Sequence, residues 1–307
     1  MPLNFDFSEE QELFRRTVRE FAKKEIAPKI GEYAHKGEFP WELYRKMGKA
    51  GLLGLRFPKE YGGQEADAVT MGILVEEVAR AGWQIPLGDI MGEILALHGP
   101  EHLKGEWLPA MTKGERLLGI ANTEPSTGSD AAAITTRAIR RGGNYILNGE
   151  NGFHYVMETF DLMRALIAIW CVGMAEGALD ENIEYVKQRT AFGRPIAKYE
   201  SVQSRIVEGC TTLEAARLLC YRTLWLKDKG EKITKHSAMT KWYAPQLCFG
   251  IVNDCLQNRG AIGFTTECLD EYRLREIRGA MIGDGTTDIN KIVVARELLG
   301  REFLPYR

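Results

Sequence analysis

What most restricts the fold of this chain is the half that follows Gly149. Apolar residues recur there at three- and four-residue steps nearly to the last residue, the period of a helix with one buried stripe. The spacing predicts four long helices, Gly152–Arg189, Tyr199–Lys229, Lys235–Arg259 and Asp288–Phe303. The first breaks at Phe192, Gly193, Arg194 and Pro195. The second carries Ile206, Leu213, Ala216, Leu219 and Leu226 on one face. Pro245 either kinks the third or marks a fray. Four such helices close into a bundle.

The first third is also helical. Ser8 and Gln11 have the spacing of a capping box, with Leu13, Phe14, Val18 and Phe21 following at helical steps. Pro28 is expected to end or bend that helix. Further helices are expected from Pro40 to Gly51, Asp67 to Gly82, Gly88 to His98 and Glu101 to Met111. At Gly119 the texture changes to Thr, Ser and Gly. Ala133–Ile139 and Tyr145–Leu147 alternate as two short strands, which alone are marginal in water. The fold class is therefore mainly α. It comprises an N-terminal helical domain (1–118), a short residual β segment (119–150) and a C-terminal four-helix bundle (151–307).

Composition narrows the function classes. Net charge is −2, so there is no basic field for nucleic acid or an anionic membrane. No apolar run reads as long enough to span a bilayer, and the N-terminus lacks a signal-peptide core. Six cysteines show no metal spacing. Cys171, Cys210, Cys220, Cys248 and Cys255 fall in apolar helical patterns, as small hydrophobes do, and a reducing cytoplasm is the expected compartment.

A candidate site lies between RLREIRGAM and TDINKIVVARELL, where Ile282, Gly283, Asp284, Gly285 and Thr286 form a loop. Two glycines around a carboxylate permit a sharp turn and close approach to a ligand. The helix that follows presents amides favouring anions. An ordinary loop with a helix cap would read the same way.

Further motifs point to the same place. The helical lead DFSEEQELFRRTVREFAKKEIAP, GLLGLRFPKEYGG, TEPSTGSD, RTAFGRPIAKYESVQ, LQNRGAIGFT and RLREIRGAMIGDGTTDI together resemble the acyl-CoA dehydrogenase family, in order along nearly the whole chain. The resemblance implies an FAD-dependent oxidoreductase. A carboxylate would remove the α-proton of an acyl-CoA while the flavin accepts the β-hydride. It also implies an electron-transfer flavoprotein or similar acceptor, and a homodimer or homotetramer.

Residue by residue, the resemblance makes Asp284 the catalytic base, one methylene shorter than the glutamate many members carry. Thr123, Ser129, Arg189, Phe192, Gln203, Gln257, Gly260, Gly263 and Thr286 become cofactor contacts, with Arg189 and Phe192 meeting the FAD of a neighbouring subunit. Arg164 and Asp89 become substrate-side residues. Plainer readings stand beside these: turn chemistry for Thr123 and Ser129, a helix-end cap for Arg189, a helix end for Gly260 and Gly263, an exposed helix position for Arg164 and a helix N-cap for Asp89. Met163 stands where some relatives carry the base, and cannot act as one.

One departure is large. After Gly149 the family continues into a middle β-domain, whereas here the chain enters the bundle directly. That leaves three readings: a deletion that keeps the helical scaffold, a relative that has become a non-catalytic scaffold or assembly subunit, or a sequence shorter than the natural chain.

Overall fold

Ser8 starts the first helix as its spacing predicts. Its hydroxyl accepts from the Gln11 amide at 3.1 Å, and the Gln11 side chain accepts from the Ser8 amide at 3.1 Å. The computed structural model describes residues 6–85, 88–120, 123–124, 127–130, 139–141, 144–146 and 152–304. Helix α1 (Glu9–Phe21) passes into a π turn (Ala22–Ile26) and then α2 (Ala27–Lys36). Pro28 therefore does not end the helix. It occupies the first turn of α2, behind a widened turn in which the Ala27 amide bonds back to the Ala22 carbonyl.

α3 (Trp41–Lys49), α4 (Ala68–Arg80), α5 (Gly88–His98) and α6 (Glu101–Thr112) complete the N-terminal helices. Asp67 caps α4 by accepting from the Thr70 amide at 2.6 Å. α4 is the centre of the molecule: Ala68, Val69 and every residue from Met71 to Ala79 are buried. Two of these are glutamates, and each is neutralised from a different side, Glu77 by two arginines and Glu76 by one. Glu77 accepts from Arg15 (3.0 Å) and Arg19 (2.6 and 2.8 Å) on α1. Glu76 accepts from Arg217 (2.6 Å) and Tyr221. Buried carboxylates need such partners.

α7 (Gly152–Gln188) crosses α4 closely. A Cβ at Gly173 or Gly177 would fall against the backbone carbonyls of Glu76 and Arg80, so only glycine permits this approach. One hydrophobic core accordingly runs from Val18 and Ile26 through α4 into Leu166, Trp170 and Cys248. The expectation that no apolar run could span a bilayer needs correction. Thr159–Gln188 is long and apolar enough by length and composition, an 18-residue window within it reaching a mean hydropathy of 1.6. That window is 89% buried inside the protein, which is how a core helix earns its composition.

Between α6 and α7, β1 (Ile139–Arg141) pairs antiparallel with β2 (Asn144–Ile146), Ile139 facing Ile146. The predicted strands Ala133–Ile139 and Tyr145–Leu147 thus overlap this hairpin only at Ile139, Tyr145 and Ile146; residues 133–138 and 147 lie outside the described residues. The expected break after α7 is a second hairpin, β3 (Thr190–Ala191) with β4 (Arg194–Pro195). Phe192 (φ 50°) and Gly193 (φ 78°) form its turn, and two successive positive φ values suit a two-residue connection.

α8 (Glu200–Asp228), α9 (Thr234–Arg259), α10 (Ala261–Phe264), α11 (Asp270–Ala280) and α12 (Thr287–Leu299) follow. α9 runs through the buried Pro245 and packs on α7, α8, α11 and α12. α12 stops at Leu299, short of the predicted Phe303, because Gly300 takes φ 106°; a 3₁₀ turn (Arg301–Phe303) follows. Cys210 is exposed, contrary to the apolar placement expected for it, while Cys171, Cys220, Cys248 and Cys255 are buried.

Candidate active site

The loop between α11 and α12 turns twice through left-handed backbone, at Asp284 (φ 52°) and Gly285 (φ 89°). Glycine takes this conformation freely, and aspartate is among the few other residues that tolerate it. Thr286 caps α12, its hydroxyl accepting from the Ile289 amide at 3.3 Å. Asn290 is wholly buried, and its amide donates to the carbonyls of Gly285 (2.7 Å) and Thr286 (3.0 Å). From the other side, Lys241 on α9 donates to Ala280 (2.6 Å) and Gly285 (3.3 Å).

The Asp284 carboxylate has no hydrogen-bond or ion-pair partner among the described residues. Burial pushes its pKa above the ordinary aspartate value, while the charges of Lys241 and Arg164 pull the other way and do not prevail. Lys241 is 1% exposed, and burial depresses its ammonium to about 8. Arg164 sits on α7 with its side chain 11% exposed, not on the open face its plainer reading assumed. It pairs with Asp161 at 3.1 Å, and its Nε is buried without a partner. Asp161 is held in turn by Thr234 (2.6 Å) and Ser237 (3.1 Å) of α9. A desolvated carboxylate therefore stands near two buried cations, one of which keeps a free donor.

Beginning less than one turn beyond Arg164 on α7, Leu166, Ile167 and Trp170 line a narrow apolar cavity with Met71 and Val75 of α4 and Ile90 of α5. The cavity measures about 10 Å³, room for about one water. Arg164 and Ile167 are three residues apart, about 4.5 Å along the helix axis. Met163 is fully buried in the same helix.

Asp89 does not cap a helix. It lies inside the first turn of α5, and its carboxylate accepts from the Gly54 amide at 2.7 Å. Burial raises its pKa to about 7, and its neighbour Tyr44 keeps a buried hydroxyl without a partner. No contact joins Asp89 to the Asp284 loop among the described residues.

The other sequence-predicted site residues are mostly at the surface. Thr123, Ser129, Arg189, Gln203, Gln257 and Gly260 are exposed, and Phe192 is 97% exposed at the hairpin tip. Gln203 donates to the Ala197 carbonyl at 2.9 Å. The side chains of Arg189 and Gln257 have no partner among the described residues, so Arg189 caps no helix. Gly260 ends α9 with φ 65°, and Gly263 is buried in α10 where a Cβ would meet the Leu256 backbone. Arg259, in contrast, is structural: with Arg273 it neutralises Asp270 and Glu181.

Sequence reasoning missed Lys241, Asn290 and Asp161. Lys241 carried a usable signal, because it sits in register with buried Ala238, Ala244 and Cys248 on the inward face of α9. A lysine at an inward position is a buried charge with a task.

Residues 8–115 match the family description "Acyl-CoA dehydrogenase, N-terminal domain" and residues 150–299 match "Acyl-CoA dehydrogenase, C-terminal domain". The chain is 31% identical to a 3-(aryl)acrylate reductase of Clostridium sporogenes, over 95% of this chain and 99% of that one. That alignment runs over 374 positions, more than the 307 residues present here, so part of the relative's length faces no residue of this chain. An acryloyl-CoA reductase (NADH) of Anaerotignum propionicum is 28% identical over 97% of each chain. The crystal structure of an acyl-CoA dehydrogenase from Geobacillus kaustophilus superposes with a TM-score of 0.87 at 26% identity, covering 96% of this chain and 100% of that one.

Proposed function

We propose, from the premise that this chain belongs to the acyl-CoA dehydrogenase family, that it interconverts an acyl-CoA thioester and its α,β-unsaturated form, with Asp284 as the base. The observation that carries this reading is the unpaired Asp284 carboxylate, desolvated, on a left-handed turn and faced by two buried cations. An α-proton beside a thioester is weakly acidic, so its removal needs a base within reach and a positive field for the charge that develops on the enolate oxygen. Asp284 supplies the first. Arg164, with its unused Nε donor, supplies part of the second and serves as the substrate-side arginine.

The residues present fit FAD at its nucleotide end. Arg189 and Gln257 are exposed donors without protein partners, Phe192 offers a bare aromatic face, and no atom lies within 4 Å of a Cβ built on Gly260, so the backbone there is open to approach. Thr123, Ser129, Gln203, Gly263 and Thr286 complete the proposed contact set. FAD, when bound, supplies the acceptor for the β-hydride, which no side chain can be. The base itself works in either direction. Two relatives are named as reductases, and a carboxyl whose pKa is raised above the ordinary aspartate value returns a proton more readily than an ordinary one.

The finer attributes follow the same reading: 1–118, 119–150 and 151–307 as domains, a homodimer or homotetramer, an electron-transfer flavoprotein as redox partner, and the cytoplasm as setting. The alternative is a non-catalytic helical scaffold, favoured by the alignment length that exceeds this chain. Two measurements separate them: the flavin absorbance of the purified protein, and deuterium wash-in at the α-carbon of an acyl-CoA in D₂O. Flavin together with Asp284-dependent wash-in supports the enzyme. Absence of both supports the scaffold.

A further inference from the structure

We propose that Lys241 is the positioning residue of the Asp284 loop, its ammonium tying the two ends of the loop together and setting the charge against which the carboxylate works. This deepens the proposed function and rests on its assignment of Asp284 as the base. The geometry is specific. Lys241 projects from the third turn of α9, 1% exposed, and donates to the last carbonyl of α11, Ala280 (2.6 Å), and to Gly285 (3.3 Å), directly after Asp284. The loop is otherwise short of internal bonds. The amides of Ile282 and Gly283 reach back to Gly279 at 3.0 and 2.9 Å, and the Thr287 amide reaches Met281 at 3.1 Å. Asp284 and Gly285 tolerate left-handed backbone, and contacts from two helices hold the turn in place. Lys241 fixes it from α9, as Asn290 does from α12.

A lysine is a costly way to satisfy two carbonyls if hydrogen bonding is all that is needed, because burying the ammonium opposes its charge. Among the described residues, the charged and titratable groups acting on the pair come from α7, α9 and the loop itself. Asp284 feels Lys241 from α9 and Arg164 from α7. Lys241 feels Cys171 and Arg164 from α7 and Asp284 from the loop. Burial pushes the Cys171 thiol to about 12, so at neutral pH it carries no charge. The ammonium thus opposes the desolvation that would otherwise raise the Asp284 carboxyl further. A helix-buried clamp that is also a counter-charge does what a neutral donor cannot.

The test compares Lys241→Met, which removes donors and charge, with Lys241→Gln, which keeps an N–H donor without the charge. Two readouts are independent of turnover. One is the titration midpoint of Asp284, followed by its carboxyl ¹³C resonance and assigned by its absence in Asp284→Asn. The other is hydrogen exchange at the amides of Ile282, Gly283 and Thr287, referenced to amides of α4. We expect the midpoint to rise in both variants. A rise of one unit makes the carboxylate about tenfold scarcer at pH values below the midpoint. Exchange in the loop should speed at least about tenfold in Lys241→Met and less in Lys241→Gln, with α4 unchanged. An unmoved midpoint in both variants overturns the proposal. So does exchange that quickens equally in α4 and the loop, which marks a merely structural lysine. Should Asp284→Asn keep full α-deuterium wash-in while the midpoint still shifts with Lys241, the base assignment fails and the positioning role stands.

Discussion

Asp284→Asn should do two opposite things at once. Asparagine tolerates left-handed backbone as aspartate does, so the turn at φ 52° is kept. No hydrogen bond from another described group to the carboxylate is lost. The folded-state pKa of Asp284 lies above its ordinary value with the attraction of Lys241 and Arg164 already included. Ionising this group is therefore less favourable in the folded chain than in the unfolded one. The sign follows: a raised folded pKa gives stability that is fully present below the unfolded value of 3.8 and is lost as pH rises through the folded value. At pH 7 the wild-type chain bears that cost and the asparagine variant does not. Its urea midpoint at pH 7 should be equal or higher, and the gain should vanish at pH 3. Catalysis moves the other way. Removing a general base typically lowers the rate by about 10²–10⁴-fold, or about 3–5 kcal/mol of barrier. Stopped-flow reduction of bound flavin by acyl-CoA and α-deuterium wash-in should both show it. A variant that is clearly less stable at pH 7, or that retains wash-in within about threefold, refutes this account of the loop.

Three other outcomes are expected. Asp89 is raised from 3.8 to about 7 by burial, so the stability it contributes is lost across that interval as pH rises; Asp89→Asn should flatten the urea-measured decline, whose slope is at most about 1.4 kcal/mol per pH unit. Gly173→Ala or Gly177→Ala places a methyl against backbone carbonyls of α4 that cannot yield, and calorimetry should show a loss of about 1–3 kcal/mol or more. Phe192→Ala removes a side chain that is 97% exposed, so the melting temperature of the chain should hold while flavin retention on dialysis falls; full retention counts against its proposed cofactor contact.

Much of the fold could be read from local signals. The capping box at Ser8, the Asp67 cap and the three- and four-residue periodicity of α8 specify helices whose ends depend on neighbours in sequence. Errors arose where tertiary contacts decide. Pro28 looks like a terminator until the π turn before it removes the need for its N–H. Asp89 looks like a cap, yet its partner is Gly54, brought close only when α5 packs over the loop at Gly54. At the site, Asp284 and Thr286 are legible because glycine and capping chemistry are written beside them. Lys241, Asn290 and Asp161 are not, because each acts on residues that the fold, not the sequence, places next to it.

The shared core of α4 and α7 also bears on how such a chain changes length. Leu117, Leu118 and Ile120 pack on that core before the hairpin segment, and Phe160 and Leu162 pack on it afterwards. The connection between α6 and α7 is therefore a closed excursion with both ends anchored in one body. Its cost to folding grows only with the logarithm of its length, about 0.6 kcal/mol per doubling. A whole layer of sheet can then be gained or lost between these anchors at little expense to the helical body.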